Sequence, residues 1–583
     1  MLNRCEHAIR SDRGRTLRRL VASVEFFGMF FAGGAGGAQA ADGASPSLLH
    51  VRRAAVASDS QAASEAGAES LRAGGNAVDA ACATALALGV VDPFASGLGG
   101  GGFALVYLAR TDKTVALDFR EAAPSGLTGE RLGPTGIPPQ SALSVGIPGE
   151  PRGLAQLVRR YGALPFSRCV EPALRLSRGF AVSPWLASQI RDEVERHPDS
   201  GAKLVAAIFS VDERTATGLH AGDRVARPAL TATLRRLRDE GADAFYQGPI
   251  AEALVRTVAE AGGVLSAADL RDYHTVDREP LRTTFLGHRI FTMSPPSAGG
   301  VILVEALGAL AAHVNEWNRT AGPMQPEYLH AVAEALKHGF ADRARFLGDP
   351  AFSHVPLEHL MDPAYHATLR IDPDHVLAHE AYGSGPSGAP HPARDAGTAH
   401  ISVIDQKGNA VALTTTINLE FGARLVAAGV VLNDEMDDFA PAPHTPDVFA
   451  LSSGDGNRPA PGKRPVSSMS PTIVLGTHGA LAAVGAAGGP RIVSATLQVL
   501  LDLLVFGLSP GQALALPRIH HQWEPDVLDY EEGLPQAVSR SLERKGHRLW
   551  RHPGIGKVNL ILRSANGLDA ASDPHTGGRP AGL

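Results

Sequence analysis

The pattern of the chain changes abruptly at Thr398. Residues 372–397 (DPDHVLAHEAYGSGPSGAPHPARDAG) are rich in Pro, Gly, Ser and His and carry no apolar period, so they are predicted to be an exposed linker. From 399 to 405 apolar residues alternate, a QKGN turn follows, and 410–416 alternates again, which predicts two paired strands. Further strand candidates fall at 425–432, 471–476 and 480–484, with 103–108 earlier in the chain. Helical spacing marks 55–90, with Gly74-Gly75 as a break, then 153–161, 229–240, 250–261 and 327–346, and it resumes at 492–506. Strands flanked by helical text on both sides, with no internal repeat, predict a layered αββα or α+β body.

Composition narrows the function. The 583 residues are 44% hydrophobic and 20% charged, enough apolar material for a large core and too little charge for a disordered chain. At ~150 residues per domain the length suggests about four domains, or one broad catalytic body. Net charge is −6, and Lys and Arg are not concentrated beyond the first twenty residues, which argues against nucleic acid as a partner. Cys5, Cys82 and Cys169 form no C-x-x-C pair, so zinc fingers, iron–sulfur sites and a disulfide scaffold are excluded, while a single Cys82–Cys169 bond stays open. At the N-terminus, Arg4, Arg10, Arg13, Arg15, Arg18 and Arg19 precede the apolar stretch 20–31, interrupted by Glu25, and then a small-residue run ending Ala38-Gln39-Ala40. That order predicts a signal peptide over residues 1–40 and a periplasmic or secreted product. The longest later apolar run, 80–91, is shorter than the ~18 residues a membrane span requires.

Several motif matches fail on context. Residues 97–102 satisfy G-x-G-x-x-G, but Pro93 precedes them and a strand follows, so they are read as a loop allowing close backbone approach. Residues 507–511 satisfy G-x-S-x-G after a helical stretch, which predicts a helix-ending turn. His520 and His521 are adjacent and diverge in any regular structure, so they are expected to be satisfied or surface histidines. Cleavage between Gly397 and Thr398 would leave a threonine at the start of a strand with its own base: a free α-amino group with pKa ~7.7–8 suffices to take the hydroxyl proton near neutral pH. On local pattern alone the plainer reading prevails, a strand that simply starts with Gly-Thr, because many strands do.

The sequence TAHISVID (398–405) with GNAVA (408–412) resembles the start of the small subunit of γ-glutamyltransferases (γ-glutamyltranspeptidases). LNDEMDDF (432–439), KRPVSSMSPT (463–472), GAAGGPRI (485–492), LPRIHHQW (516–523) and ASDP (571–574) follow in that family's order. LGGGGF (98–103), LDFREAAP (117–124), MSPPSAGG (293–300) and ADRARFLGDP (341–350) resemble its large-subunit landmarks, so the likeness runs from about residue 50 to the C-terminus. It implies an N-terminal-nucleophile hydrolase fold and a precursor that cuts itself at Gly397–Thr398. The products would be a large subunit of 41–397 and a small one of 398–583, paired as a heterodimer. It further implies transfer of γ-glutamyl groups from glutathione and related donors to water, amino acids or short peptides, with no cofactor and no metal.

By the same resemblance Thr398 is the nucleophile and Thr416 a second threonine supporting it, although simple pairing across Lys407-Gly408 sets Ile417 opposite Thr398, so Thr416 requires a bulge or another register. Arg120 and the hydroxyls of Ser467 and Ser468 suit the donor's α-carboxylate, and Asp438 with Asn418 and Glu435 suits its α-ammonium. Gly488 and Gly489 offer backbone N–H groups for the oxyanion. Departures are Ala399, where many members carry another threonine, and Phe449, within a lid-length segment 440–462, where a gating tyrosine often sits. Asp438 argues against the glutaryl or cephalosporin acylases of the same superfamily, which remain the nearest alternative; an unprocessed exported protein that binds amino acids or peptides is the other.

Overall fold

The computed structural model describes residues 45–132, 136–383, 396–440 and 445–583; the expected leader and linker residues 384–395 lie outside them. Two seven-stranded antiparallel sheets form the centre. One runs Ser47–Val51, Gly567–Ser572, Lys557–Ser564, Gly479–Ala487, Thr472–Gly476, His288–Thr292, Leu281–Phe285. The other runs Ala581–Gly582, Ala55–Ala57, Ala396–Ile404, Ala410–Leu419, Gly101–Leu108, Lys113–Asp118, Val276–Arg278.

Period two explains the stacking. On the strand Ala396–Ile404, Ala399, Ile401 and Val403 join a core with the helices Gln61–Arg72, Ala77–Val91 and Phe166–Leu176. Thr398, His400 and Ser402 alternate to the opposite face. There the Ser402 hydroxyl donates to the Asn559 carbonyl of the other sheet at 3.1 Å, and the His400 ring lies so close to Gly485 that a Cβ there would sit 2.3 Å from it. Beyond the first-named sheet, Gly299–Leu310, Pro326–Phe346 and Arg491–Leu504 pack a second apolar core. The four layers are helices, sheet, sheet, helices, the αββα arrangement expected. Among the described residues no helix is long and apolar enough to cross a membrane.

The hairpin register differs from simple pairing across Lys407-Gly408. The Asp405 carboxylate accepts N–H groups of Lys407 and Asn409 at 2.8 and 3.0 Å, which closes a five-residue connection with Ile404 opposite Ala410. That register sets Thr416 opposite Thr398, and the ladder then slips between Thr398 and Gly397, so Gly397 faces Asn418. Asn418 takes φ +74°, a left-handed conformation that Asn tolerates better than most residues.

Two other expectations are corrected, and the open question of a Cys82–Cys169 bond is answered. The strand expected at 425–432 is two short strands, Val426–Ala427 and Val430–Val431, because Ala428 and Gly429 turn with positive φ. The linker is not exposed throughout: 373–375 are exposed, but Tyr382 is buried, its ring under the Lys337 ammonium and its hydroxyl donating to Glu334. Cys82 and Cys169 are buried and free. The motifs set aside earlier hold their bland readings. Ser509 caps the helix Pro510–Ala515, and buried His520 and His521 are held by Ser494, Gln522 and Asp526.

Candidate active site

Thr398 and Thr416 meet where the ladder slips. Their hydroxyls lie 3.1 Å apart, the Thr416 hydroxyl donates to the Gly397 carbonyl at 2.9 Å, and its oxygen accepts the Asn418 N–H at 2.8 Å. A hydroxyl has one proton and two lone pairs. With the Thr416 proton on Gly397, the Thr398 hydroxyl must donate to Thr416, which leaves the Thr398 lone pairs next to the Gly397 carbonyl. Both threonines are buried. Gly100 permits this packing, since a Cβ there would stand 1.9 Å from the Thr416 carbonyl oxygen.

A pocket opens from Thr398. Its walls include Thr416, Asn418, Glu435, Asp438, Ser467, Ser468 and Gly489, residues far apart in sequence and singled out together beforehand. Gly488 and Gly489 have φ +125° and +57° directly beyond Ala487, the last residue of its strand paired in the ladder. The Ser467 backbone is clamped to the 296–298 turn, through Pro296 O and Ala298 N at 2.9 and 2.7 Å, and its hydroxyl accepts the Met469 N–H at 3.2 Å.

Arg120 is placed differently from expectation. It is fully buried and does not line the pocket. Its guanidinium donates to Glu435, to Asp438 at 2.6 Å, and to the carbonyls of Pro465 and Val466 at 2.7 and 3.2 Å. The cation assigned to a carboxylate and the acids assigned to an ammonium satisfy each other. Asn418 donates its amide to Asp437 at 2.5 Å and lies close enough to Asp438 to draw its carboxyl down against burial. Burial works against the charge of Arg120, yet Glu435 and Asp438 outweigh it and hold it protonated. Burial raises the Glu435 carboxyl to about 8 against the pull of Arg120, and raises Asp438 as well.

Arg343 and Asp447, unassigned from sequence, also line the pocket. Arg343 donates to the Ser452 carbonyl at 2.9 Å and the Ser453 hydroxyl at 3.1 Å, and pairs with Asp447 at 3.4 Å. Asp447 caps the turn that carries Phe449 by accepting the N–H groups of Phe449 and Leu451 at 2.9 and 3.0 Å. The lid segment is thus fastened from below, with Phe449 buried against the pocket. The ADRARF motif was the available signal for Arg343; nothing in the sequence marked Asp447 as its partner.

A threonine hydroxyl at the start of a strand, held against the preceding carbonyl between two stacked antiparallel sheets with helices outside, defines an N-terminal-nucleophile hydrolase. The chain belongs to the gamma-glutamyltranspeptidase family, whose model matches residues 63–583. It is an enzyme of that family. The glutathione hydrolase proenzyme of Escherichia coli (strain K12) is 36% identical over 542 residues, covering 91% of either protein. Among solved structures, cephalosporin acylase from Bacillus halodurans superposes with TM-score 0.79 at 26% identity, over 92% of this chain and 97% of that one. Helicobacter pylori gamma-glutamyltranspeptidase superposes with TM-score 0.50 at 34% identity, over 54% of this chain and 91% of that one.

Proposed function

We propose that the chain is a self-processing γ-glutamyltransferase and glutathione hydrolase whose nucleophile is Thr398. The observation that carries this reading is the hydroxyl pair against the Gly397 carbonyl, combined with a pocket holding Asp438, Glu435 and two serines. In the precursor Thr398 Oγ attacks the Gly397 carbonyl, the C–N bond breaks as the ester forms, and water hydrolyses the ester. The heterodimer of 41–397 and 398–583 remains. The freed α-amine then takes the Thr398 hydroxyl proton as the oxygen attacks a γ-glutamyl amide, and that proton leaves with the departing amine. Backbone N–H groups of Gly488 and Gly489 face the oxyanion. The γ-glutamyl ester passes to water or to an amino acid or peptide.

Donor selectivity follows from the charges at the pocket. A zwitterionic α-carbon brings its ammonium to Asp438 and Glu435 and its carboxylate to Ser467 and Ser468, while Arg120 stays behind the wall, paired with both acids. A glutaryl donor has no ammonium to offer, and the acylase reading, supported by the full-length likeness to cephalosporin acylase, is disfavoured by Asp438 for that reason. Export to the periplasm or medium completes the proposal, with a mature N-terminus near Ala41. The test is steady-state kinetics on γ-glutamyl and glutaryl anilides together with Thr398→Ala. We expect the γ-glutamyl donor to win by a large factor and the variant to stay a single, inactive chain. Equal kcat/KM for the two donors, or cutting of the variant at 397–398, overturns the reading.

A further inference from the structure

Away from Thr398, three buried side chains converge that line no part of its pocket. Among the described residues, His330, Glu334 and His547 form the only group of histidine, cysteine or carboxylate side chains whose three ligand atoms gather within 4.8 Å of one another. His330 and Glu334 stand one turn apart on the helix Pro326–Phe346 and so share a face. His547 comes from beyond the 397–398 bond. Gly546 ends the helix Gln536–Lys545 with φ +108°, and the His547 N–H returns to the Leu542 carbonyl at 3.1 Å, which fixes where its ring starts.

Two of the three are oriented from behind. His330 Nε2 lies 2.7 Å from the Asp372 carbonyl, which can only accept, so in the neutral ring the lone pair is on Nδ1, facing His547 Nε2 at 2.7 Å. Glu334 accepts the Tyr382 hydroxyl and the Leu377 N–H. Metal-binding histidines and carboxylates are steadied in this way, by hydrogen bonds at the atoms that do not touch the ion. His547 is under-satisfied: its Nδ1 is buried without a hydrogen-bond partner. Neighbouring His521 is committed elsewhere, Nε2 to Asp526 at 3.3 Å and Nδ1 to the Trp523 N–H at 3.2 Å.

We propose that His330, Glu334 and His547 bind one zinc-type divalent cation, with water as fourth ligand, and that the ion ties the two halves of the chain together. Two imidazoles and a carboxylate are a donor set suited to zinc. At bonds of ~2.0–2.1 Å, tetrahedral ligand atoms stand about 3.3 Å apart. That separation lies between the 2.7 Å of the two rings and the 4.8 Å span of the group, so the rings part slightly and the carboxylate closes in. The proton on His547 Nε2 passes to Nδ1. Lys337, 3.2 Å from Glu334 and 3.6 Å from Asp526, keeps Asp526 as its partner. The tie between subunits rests on the proposed cut, which puts His330 and Glu334 in the large subunit and His547 in the small; the site itself does not.

The test titrates chelator-treated, dialysed protein with Zn²⁺ by calorimetry and with Co²⁺ by visible absorption. For the wild type we expect a single site with the Co²⁺ bands of four-coordination, undisturbed by excess Mg²⁺, which prefers six oxygens. The uncut Thr398→Ala chain should bind equally, so a failure of self-cleavage is told apart from a failure of the site. His330→Ala and His547→Gln should each weaken Zn²⁺ by more than the ~10–100-fold that loss of a supporting partner costs, and Tyr382→Phe should weaken it by about that range. Circular dichroism melting checks that each variant folds. In the cut protein, equimolar Zn²⁺ should raise the urea concentration at which the subunits separate, and an unchanged midpoint refutes the tie. A wild type without such a site, or undiminished affinity in a folded His330→Ala or His547→Gln, overturns the inference and leaves the γ-glutamyl reading intact.

Discussion

Thr416→Val retains the shape of the side chain and removes its hydroxyl. Three contacts disappear: the bond to the Gly397 carbonyl, the pairing with Thr398, and the acceptor for the Asn418 N–H. The first bears on rate, because negative charge develops on the Gly397 oxygen as Thr398 attacks. A hydrogen-bond donor to such an oxyanion is worth ~2.7–4 kcal/mol, so self-cleavage should slow by ~10²–10³-fold at about 1.36 kcal/mol per decade. The third bears on stability, at ~1–3 kcal/mol for a buried donor left without its acceptor, which falls short of the ~5–15 kcal/mol that holds a typical domain. The variant should therefore fold and fail to cut. Precursor made by cell-free synthesis and sampled over time on denaturing gels gives the rate, circular dichroism melting reports the fold, and Thr416→Ser should cut near the wild-type rate. A folded Thr416→Val chain that cuts within a factor of about three of wild type, where at least 10² is expected, refutes the role given to this hydroxyl.

Asp438→Asn keeps the side chain's shape and removes its charge, so γ-glutamyl anilide turnover should fall sharply while the preference over the glutaryl anilide narrows or reverses; an unchanged preference would show that Asp438 does not read the ammonium. Asp447 supplies a pH prediction. Burial pushes its carboxyl up to about 7, against Arg343, so the folded chain binds this proton more tightly than the unfolded one. The stabilisation is complete below the unfolded pKa of ~3.9 and is lost as pH rises through about 7. Asp447→Asn should flatten the fall of Tm across that window, and identical Tm slopes for the two proteins would contradict it.

The layered body was legible because period two and period 3.6 are written plainly on either side of Thr398. The register was not. It depends on the Asp405 carboxylate turning a short loop into a five-residue one, a choice that alternation cannot register. The strands Lys557–Ser564 and Gly567–Ser572 also escaped, the second because GLDAAS has no β-branched residue and owes its conformation to strands on either side. In the site, residue types and motif order identified the walls of the pocket. The partners of Arg120 could not be read, because Glu435 and Asp438 lie more than three hundred positions away and only packing decides whether a buried guanidinium faces a ligand or its own chain.

Each sheet combines strands from both sides of the 397–398 bond. Under the proposed self-cleavage, hydrolysis of that bond frees only the Ala396-Gly397 end of the strand Ala396–Ile404 and leaves the other strands in place, so the nucleophile is created only in a chain whose two halves have already been woven together. A misassembled precursor has no Thr416 hydroxyl against the Gly397 carbonyl and stays inert, so the cut acts as a check on assembly. The proposed cut also changes the order of the folding reaction. Before the cut, recovery from unfolding is a first-order event within one chain; afterwards two chains must find each other, and recovery depends on their concentration.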